Sequence, residues 1–184
     1  MPLTSVRTDE PLPVDDDALI GDYLGGDAAA FEELYARYEA PLFGFCVRYL
    51  GDRDAAADAF QETFMRVVDG SGSYVPRGRF RSWLFTIARR VCLDVVRADR
   101  RHKGIADAAD IPGPEAEHPA HVAEGRDEIE RHLSRLSREQ REVLLLHRYY
   151  GFAYAEIATM TRSTEAAVKQ KAYRALRALR GAHD

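Results

Sequence analysis

The chain has 184 residues, enough for one domain or two small ones, and 46% of them are hydrophobic, an ordinary share for a soluble globular protein. No apolar run reaches the roughly 18 residues that argue for a membrane span, and the opening MPLTSVRTDEPLPVDDD lacks the basic start and apolar stretch of a signal peptide, so a cytoplasmic, non-membrane protein is expected. The net charge of −4 hides a segregation: residues 77–103 carry 9 basic and 2 acidic side chains and residues 131–180 carry 11 and 4, whereas residues 1–76 carry 5 and 15 and residues 104–130 carry 1 and 8. Two basic blocks parted by an acidic segment point to two polyanion contacts on one chain.

Residues 1–17, rich in Pro and Asp and without a period, are predicted to be a disordered tail. Apolar stripes then predict a helical domain over 18–103. Asp27 reads as the N-cap of a helix with Phe31, Leu34, Tyr35 and Tyr38 on one face. Pro41 fits the first turn of a second helix carrying Leu42, Phe45, Cys46 and Tyr49. Gly51-Asp52 breaks the chain, and Asp54 can cap a third helix with Ala56, Phe60, Phe64, Val67 and Val68 inward. Residues 69–79, with GSGS and Pro76, read as a polar loop before a helix bearing Trp83, Leu84, Ile87, Ala88, Val91 and Val95. Cys46 and Cys92 have no metal-type spacing and fall on apolar faces, which predicts two buried free thiols.

Residues 104–125 hold three prolines, excess acid and no helical period, the composition of a flexible linker. His118 and His121 lie there without further ligands at suitable spacing and read as solvated. Residues 126–184 form the second predicted domain: Ile129, Leu133 and Leu136, the capping-box pattern Ser137-Arg-Glu-Gln140, Val143, Leu144, Leu146 and Tyr149, and a helix stop at Gly151. No alternating strand pattern and no internal repeat occur, so the fold class is all-α, two small helical domains joined by a flexible linker.

Residues 153–180 have the lengths of a helix-turn-helix: a short helix over 153–160, a turn over 161–164, and a longer helix capped by Ser163 or Thr164 with Glu165 in its first turn. In such motifs the second helix enters the major groove and its early residues meet base edges. Arg162, Ser163, Thr164, Lys169, Gln170, Lys171, Tyr173 and Arg174 are the candidate DNA contacts, since Arg and Lys suit guanine, Gln suits adenine and the other cations neutralise phosphates. The alternative is an ordinary helical hairpin with a solvated charged face, but such faces usually mix signs and this helix has no acid after Glu165. In the first basic block Arg77, Arg79, Arg81, Arg89, Arg90, Arg97, Arg100, Arg101 and Lys103 flank Phe80, Trp83 and Phe85, a mixture suited to unpaired bases. Spacing alone favours a core place for Trp83 and leaves loop 69–79 as the better base-capture element.

Read together, FEELYARYEAPLFGFCVRYLGDRDAAADAFQETFMRVV, FRSWLFTIARRVCLDVVR and LSREQREVLLLHRYYGFAYAEIATMTRSTEAAVKQKAYRALRAL resemble an extracytoplasmic-function (ECF) sigma factor of bacterial RNA polymerase across most of residues 31–180. The resemblance implies that 18–103 is sigma region 2, whose Asp58, Gln61, Glu62 and Phe64 grip the β′ coiled coil of the polymerase. It implies that loop 69–79 and helix 80–97, with Arg77, Arg79, Arg81, Trp83, Arg89, Arg90 and Arg97, melt and read the minus-ten element. Region 4, residues 126–184, then sits on the minus-thirty-five element with its other side near the β flap, and the linker runs toward the RNA exit path. The implied partners are core RNA polymerase and promoter DNA, with an anti-sigma factor or a Ser/Thr kinase as candidates. No cofactor, metal or catalysis is implied, because the polymerase makes the bonds. With the sequence ending soon after the recognition helix, no regulatory C-terminal domain is expected.

Three departures from the family pattern stand out. Ala55-Ala56-Ala57-Asp58 replaces an acidic Asp-Ala-Glu-Asp, so two acids are missing from a face expected to meet basic polymerase residues; phosphorylation of Thr63 could restore negative charge, or Asp52, Asp54 and Glu62 could suffice. The usual turn glycine is absent around Thr161-Arg162-Ser163-Thr164, and a non-glycine residue in a left-handed position costs roughly 1 kcal/mol. The recognition helix reads Lys-Gln-Lys-Ala-Tyr where relatives often have Lys-Ser-Arg. The competing class is a stand-alone helix-turn-helix regulator of duplex operators; an enzyme has little support, since Gly70-Ser71-Gly72-Ser73 lacks the Gly-Lys-Ser/Thr of a phosphate loop. Gln170→Ser is expected to change the preferred upstream bases in a binding-site selection; an unchanged preference would remove Gln170 from the reading face.

Overall fold

The computed structural model describes residues 15–75, 77–102 and 136–180. Within them the regular structure is helical: α1 (Asp16–Leu24), α2 (Ala28–Leu50), α3 (Arg53–Gly70, continued by a 3-10 turn Ser71–Ser73), α4 (Phe80–His102), α5 (Arg138–Leu144, continued by a π-type turn Leu145–Tyr149), α6 (Tyr154–Thr161) and α7 (Glu165–Arg180). The linker, His118 and His121, and the stripe residues Ile129 and Leu133 lie outside the described residues.

Local chemistry sets most helix ends. The Asp27 carboxylate accepts from the Ala29 amide at 2.9 Å, and Ser137 and Gln140 exchange both bonds of the capping box. Gly51, at φ +75°, closes α2, and Asp52 rather than the expected Asp54 caps α3 by accepting from the Ala55 amide at 2.8 Å. Two larger differences have physical causes. The predicted pair of helices meeting at Pro41 is one helix, α2. An interior proline costs about 3 kcal/mol, but Leu34, Tyr38, Leu42, Phe45 and Cys46 run buried through it and keep both halves on the same core face. The expected tail is ordered from Asp16, because acids in a first turn complement the helix dipole and Asp16 accepts hydrogen bonds from Arg37, at 2.5 Å, and from Tyr38.

The core of α1–α4 is aromatic and aliphatic, with Ile20, Leu42, Phe45, Leu84 and Phe85 fully buried. Cys46 and Cys92 are buried free thiols, as predicted; the hydrogen bond to Cys46 and burial push the Cys92 thiol well above its ordinary pKa, which makes it a core group rather than a nucleophile. The same core continues into the C-terminal unit. Tyr150 packs at 5.7 Å from Phe45 and 5.0 Å from Phe85, and Phe152 at 5.2 Å from Phe85. Around this contact Arg89 forks onto Glu142 at 2.6 and 3.1 Å, Ser82 donates to Glu156 at 2.7 Å, Arg48 donates to the Tyr149 hydroxyl at 2.5 Å, and Arg81 donates to the Tyr150 carbonyl.

In the C-terminal unit, α7 lays Val168, Ala172 and Ala175 against α5 and α6. The turn between α6 and α7 carries the strain its composition predicts: Arg162 sits at φ 53°, ψ 45°, the single described non-glycine residue with positive φ. Thr164 caps α7 by accepting from the Ala167 amide at 3.2 Å.

Two outcomes follow in denaturant unfolding. Phe45→Ala is expected to lose about 3–5 kcal/mol, the range for an aromatic removed from a close-packed core; a loss under about 1 kcal/mol would mean that the shared core does not form in solution. Arg162→Gly is expected to gain about 1 kcal/mol by relieving the left-handed residue; a destabilised variant would show that the Arg162 side chain contributes more than its backbone costs.

Candidate nucleic-acid and polymerase interfaces

On α7 the buried stripe leaves the opposite side to solvent. Gln170, Tyr173 and Arg174 are exposed there, Tyr173 to 63%, and Arg162 and Thr164 are exposed in the preceding turn, with Ser163 half-buried beside them. Lys169 borders this face and pairs with Glu165 at 2.6 Å. Lys171 does not join it: it is half-buried on the α5 side and pairs with Glu139 at 2.7 Å. Its structural role is to tie α7 to α5. Arg177, absent from the sequence-derived set, is exposed one turn beyond Tyr173 and Arg174; its spacing from Gln170 was the signal that could have found it.

The seven residues expected at the minus-ten element separate into three groups. Arg77 and Arg79 are exposed in the loop. Trp83, Arg90 and Arg97, seven residues apart, share one side of α4 because two turns return to nearly the same azimuth. Arg90 and Arg97 are exposed; Trp83 is half-buried, its ring 4.7 Å from Tyr74 and 5.8 Å from Phe80. Trp83 is therefore both a core residue and the ring that adjoins the loop. Arg81 and Arg89 point elsewhere. Arg81 lies over the Phe152 ring at 4.4 Å, and Arg89 is held by Glu142 with side-chain exposures of 16% and 6%. Burial works against the Arg89 charge, and the attraction and hydrogen bonds of Glu142 outweigh it, so its pKa is raised.

The loop is anchored from α1. Asp17, 8% exposed, accepts from the Tyr74 hydroxyl at 2.7 Å, from the Phe80 amide at 3.2 Å and from the Gly78 amide. Burial alone would raise its pKa; these bonds outweigh burial and hold it below the usual carboxylate range.

On α3, Asp58, Gln61 and Glu62 are exposed on one side together with Met65 (62%) and Val68 (40%), an apolar patch with a polar rim. Val68 was predicted inward and Met65 was missed. Phe64, expected on this face, is a core residue packed 4.7 Å from Tyr35 and 5.1 Å from Phe60. Thr63 is fully buried and donates its hydroxyl to the Ala59 carbonyl at 2.7 Å. A kinase has no access to it in this fold, which argues against Thr63 as the phosphosite weighed from the sequence. Among the described residues no group of three or more His, Cys, Asp or Glu side chains could hold a metal, and no helix is long and apolar enough to cross a membrane.

The profile described as Sigma-70 region 2 matches residues 34–102, and that described as Sigma-70, region 4 matches residues 126–179. The chain is 33% identical over 167 residues to the ECF RNA polymerase sigma factor SigL of Mycobacterium tuberculosis, covering 89% of this chain and 94% of SigL. It is 30% identical over 159 residues to RNA polymerase sigma factor CarQ of Myxococcus xanthus, covering 84% of this chain and 90% of CarQ. Its fold is similar to that of the sigma factor RpoE of Bartonella quintana, solved with the anti-sigma factor NepR, with a TM-score of 0.67, 23% identity, and coverage of 82% of this chain and 94% of that one. With both regions matched in this order on an all-helical frame, the chain belongs to the ECF sigma factors of the sigma-70 family, which bind RNA polymerase and direct it to promoters.

Proposed function

We propose that the exposed face of α7, Gln170, Tyr173 and Arg174 with Lys169 and the turn residues Arg162, Ser163 and Thr164, reads the minus-thirty-five element in the major groove. The segment joining α3 to α4, whose first residues lie in the end of α3 and the 3-10 turn rather than in the expected loop 69–79, takes the minus-ten element with Trp83, Arg90 and Arg97, and the α3 face of Asp58, Gln61, Glu62, Met65 and Val68 meets the β′ coiled coil of the polymerase. The observation that carries this reading is the alignment of Trp83, Arg90 and Arg97 on one side of α4, with Trp83 at the end that adjoins Tyr74: a ring at the head of a cationic track is what an unstacked base and its backbone require. The chain supplies binding energy and no chemistry, and it acts in the cytoplasm, where the polymerase is. An anti-sigma factor is a natural partner, as NepR is for its structural neighbour.

The reading has a mechanical consequence. The two promoter elements lie about 25 base pairs apart, or roughly 80 Å at 3.4 Å per pair, whereas Tyr150, Phe152 and the Arg89–Glu142 pair hold the two units against each other. Engagement of both elements by one chain therefore requires this contact to part, which frees Arg81 from Phe152 and Arg89 from Glu142.

Run-off transcription with core polymerase, with and without the protein, on the DNA upstream of its own gene tests the assignment. Specific transcripts are expected only with the protein, which alone binds duplex promoter DNA poorly. Tight duplex binding without polymerase, and no transcript with it, would mark a stand-alone regulator instead. In the double variant Arg90→Ala/Arg97→Ala the log–log salt dependence of open-complex formation is expected to fall by about 1.5–2, close to one unit per lost phosphate contact; an unchanged slope removes these two cations from the DNA track.

A further inference from the structure

We propose that Asp17 is the positioning residue of the minus-ten loop: a carboxylate on α1 that holds the Tyr74 hydroxyl and the Gly78 and Phe80 amides and, through Tyr74, sets the placement of the Trp83 ring. The inference rests on the assignment of that loop and Trp83 to the minus-ten element. Asp17 lies ahead of the region 2 match, which begins at residue 34.

The contacts are specific to the loop. Both carboxylate oxygens are used: one accepts from the Tyr74 hydroxyl and the Phe80 amide, the other from the Gly78 amide. These groups stand 57, 63 and 61 residues away in the sequence, so the interaction ties α1 to the turn that leads into α4. Gly78 is held at φ +67°, a left-handed conformation, at the point where the chain turns into α4. The Phe80 amide belongs to the first turn of α4, whose N–H groups lack intrahelical partners, and α4 has no acid of its own in that turn. Asp17 thus supplies from another helix the acceptor and the negative charge that a helix start favours. Tyr74, fixed by its hydroxyl, lies tilted on Trp83 at 4.7 Å and edge-on to Phe80 at 6.0 Å. The chain Asp17–Tyr74–Trp83 joins a buried charge to the ring beside the cationic track. Hydrogen bonds to an ionised acceptor are the stronger kind, and the depressed pKa of Asp17 fits a carboxylate that stays ionised among amide donors.

The test uses holoenzyme assembled from core polymerase and full-length Asp17→Asn, Tyr74→Phe or Trp83→Ala, on a duplex promoter and on the same promoter pre-opened by mismatches across the minus-ten element. Asn keeps the volume but has one acceptor oxygen in place of two. Affinity for core polymerase is expected to stay within about twofold of the parent, while duplex opening, read by permanganate reactivity of thymines, falls roughly tenfold in Asp17→Asn, the scale of one charge-assisted hydrogen bond. Tyr74→Phe falls in the same direction, and both variants regain most of the lost activity on the pre-opened template. Proportional losses of core binding and of activity on both templates would make Asp17 a purely structural residue and overturn the proposal, as would duplex opening by Asp17→Asn within twofold of the parent. If Asp17→Asn does not fold, Tyr74→Phe decides alone, since it removes one hydroxyl and leaves the carboxylate. A Trp83→Ala variant that opens duplex as the parent does overturns the minus-ten assignment, and this proposal with it; loss in Trp83→Ala beside a normal Asp17→Asn overturns this proposal only.

Discussion

The packing of Tyr150 and Phe152 against Phe45 and Phe85 governs the rest of the molecule. Aromatic side chains bury large areas and prefer tilted or edge-on geometry, and here the interplanar angles run from 53° to 74°. Because Phe45 comes from α2 and Phe85 from α4, this one contact requires those two helices to be correctly placed before the C-terminal unit can dock. The Arg89–Glu142 pair then fixes the geometry of docking rather than its strength. A buried ion pair contributes little net stability, yet removal of one partner costs about 3–5 kcal/mol because the other charge is left unpaired.

This contact explains why the first basic block could be recognised but not apportioned. Composition showed nine cations over residues 77–103. It did not show that Arg81 would lie on Phe152 or that Arg89 would meet Glu142, 53 residues away, because nothing local records which side of α4 another unit covers. Arg90 and Arg97 differ from Arg89 only in azimuth. On α7 the same difficulty is smaller, since Val168, Ala172 and Ala175 mark the buried side and leave Gln170, Tyr173 and Arg174 opposite. Even there Lys171 could not be placed from its own helix, because its partner Glu139 belongs to α5.

Elements governed by near-neighbour chemistry were legible: the Asp27 cap, the Ser137–Gln140 box, the Gly151 stop and the strained turn at Arg162. Those decided at long range were not. Pro41 signals a helix start by its local chemistry and is overruled by a stripe continuous from Leu34 to Cys46. Thr63 is polar and sits between Glu62 and Phe64 in sequence, but its hydroxyl is satisfied within its own helix, which lets it be buried without penalty. The three acids Asp15, Asp16 and Asp17 looked like tail, and only the fold shows that the second meets Arg37 and Tyr38 and the third a loop about 60 residues on.

The two sides proposed to face DNA consequently differ in how freely they can change. On α7 the side chains that face outward take no part in the core, and the small Ala172 and Ala175 let the helix lie close on its neighbours whatever stands opposite. Substitution at Gln170 or Arg174 can alter base preference with little effect on folding, because surface substitutions away from buried contacts usually change stability by no more than about 0.5 kcal/mol. On α4 the proposed reading side and the core share residues. Trp83 rests on Phe80, Phe80 is buried, and Tyr74 between loop and helix is bound to Asp17. Any change on this side must preserve a packed aromatic cluster and a satisfied buried carboxylate, so substitutions on the proposed minus-ten side carry a folding cost that those on the exposed face of α7 do not.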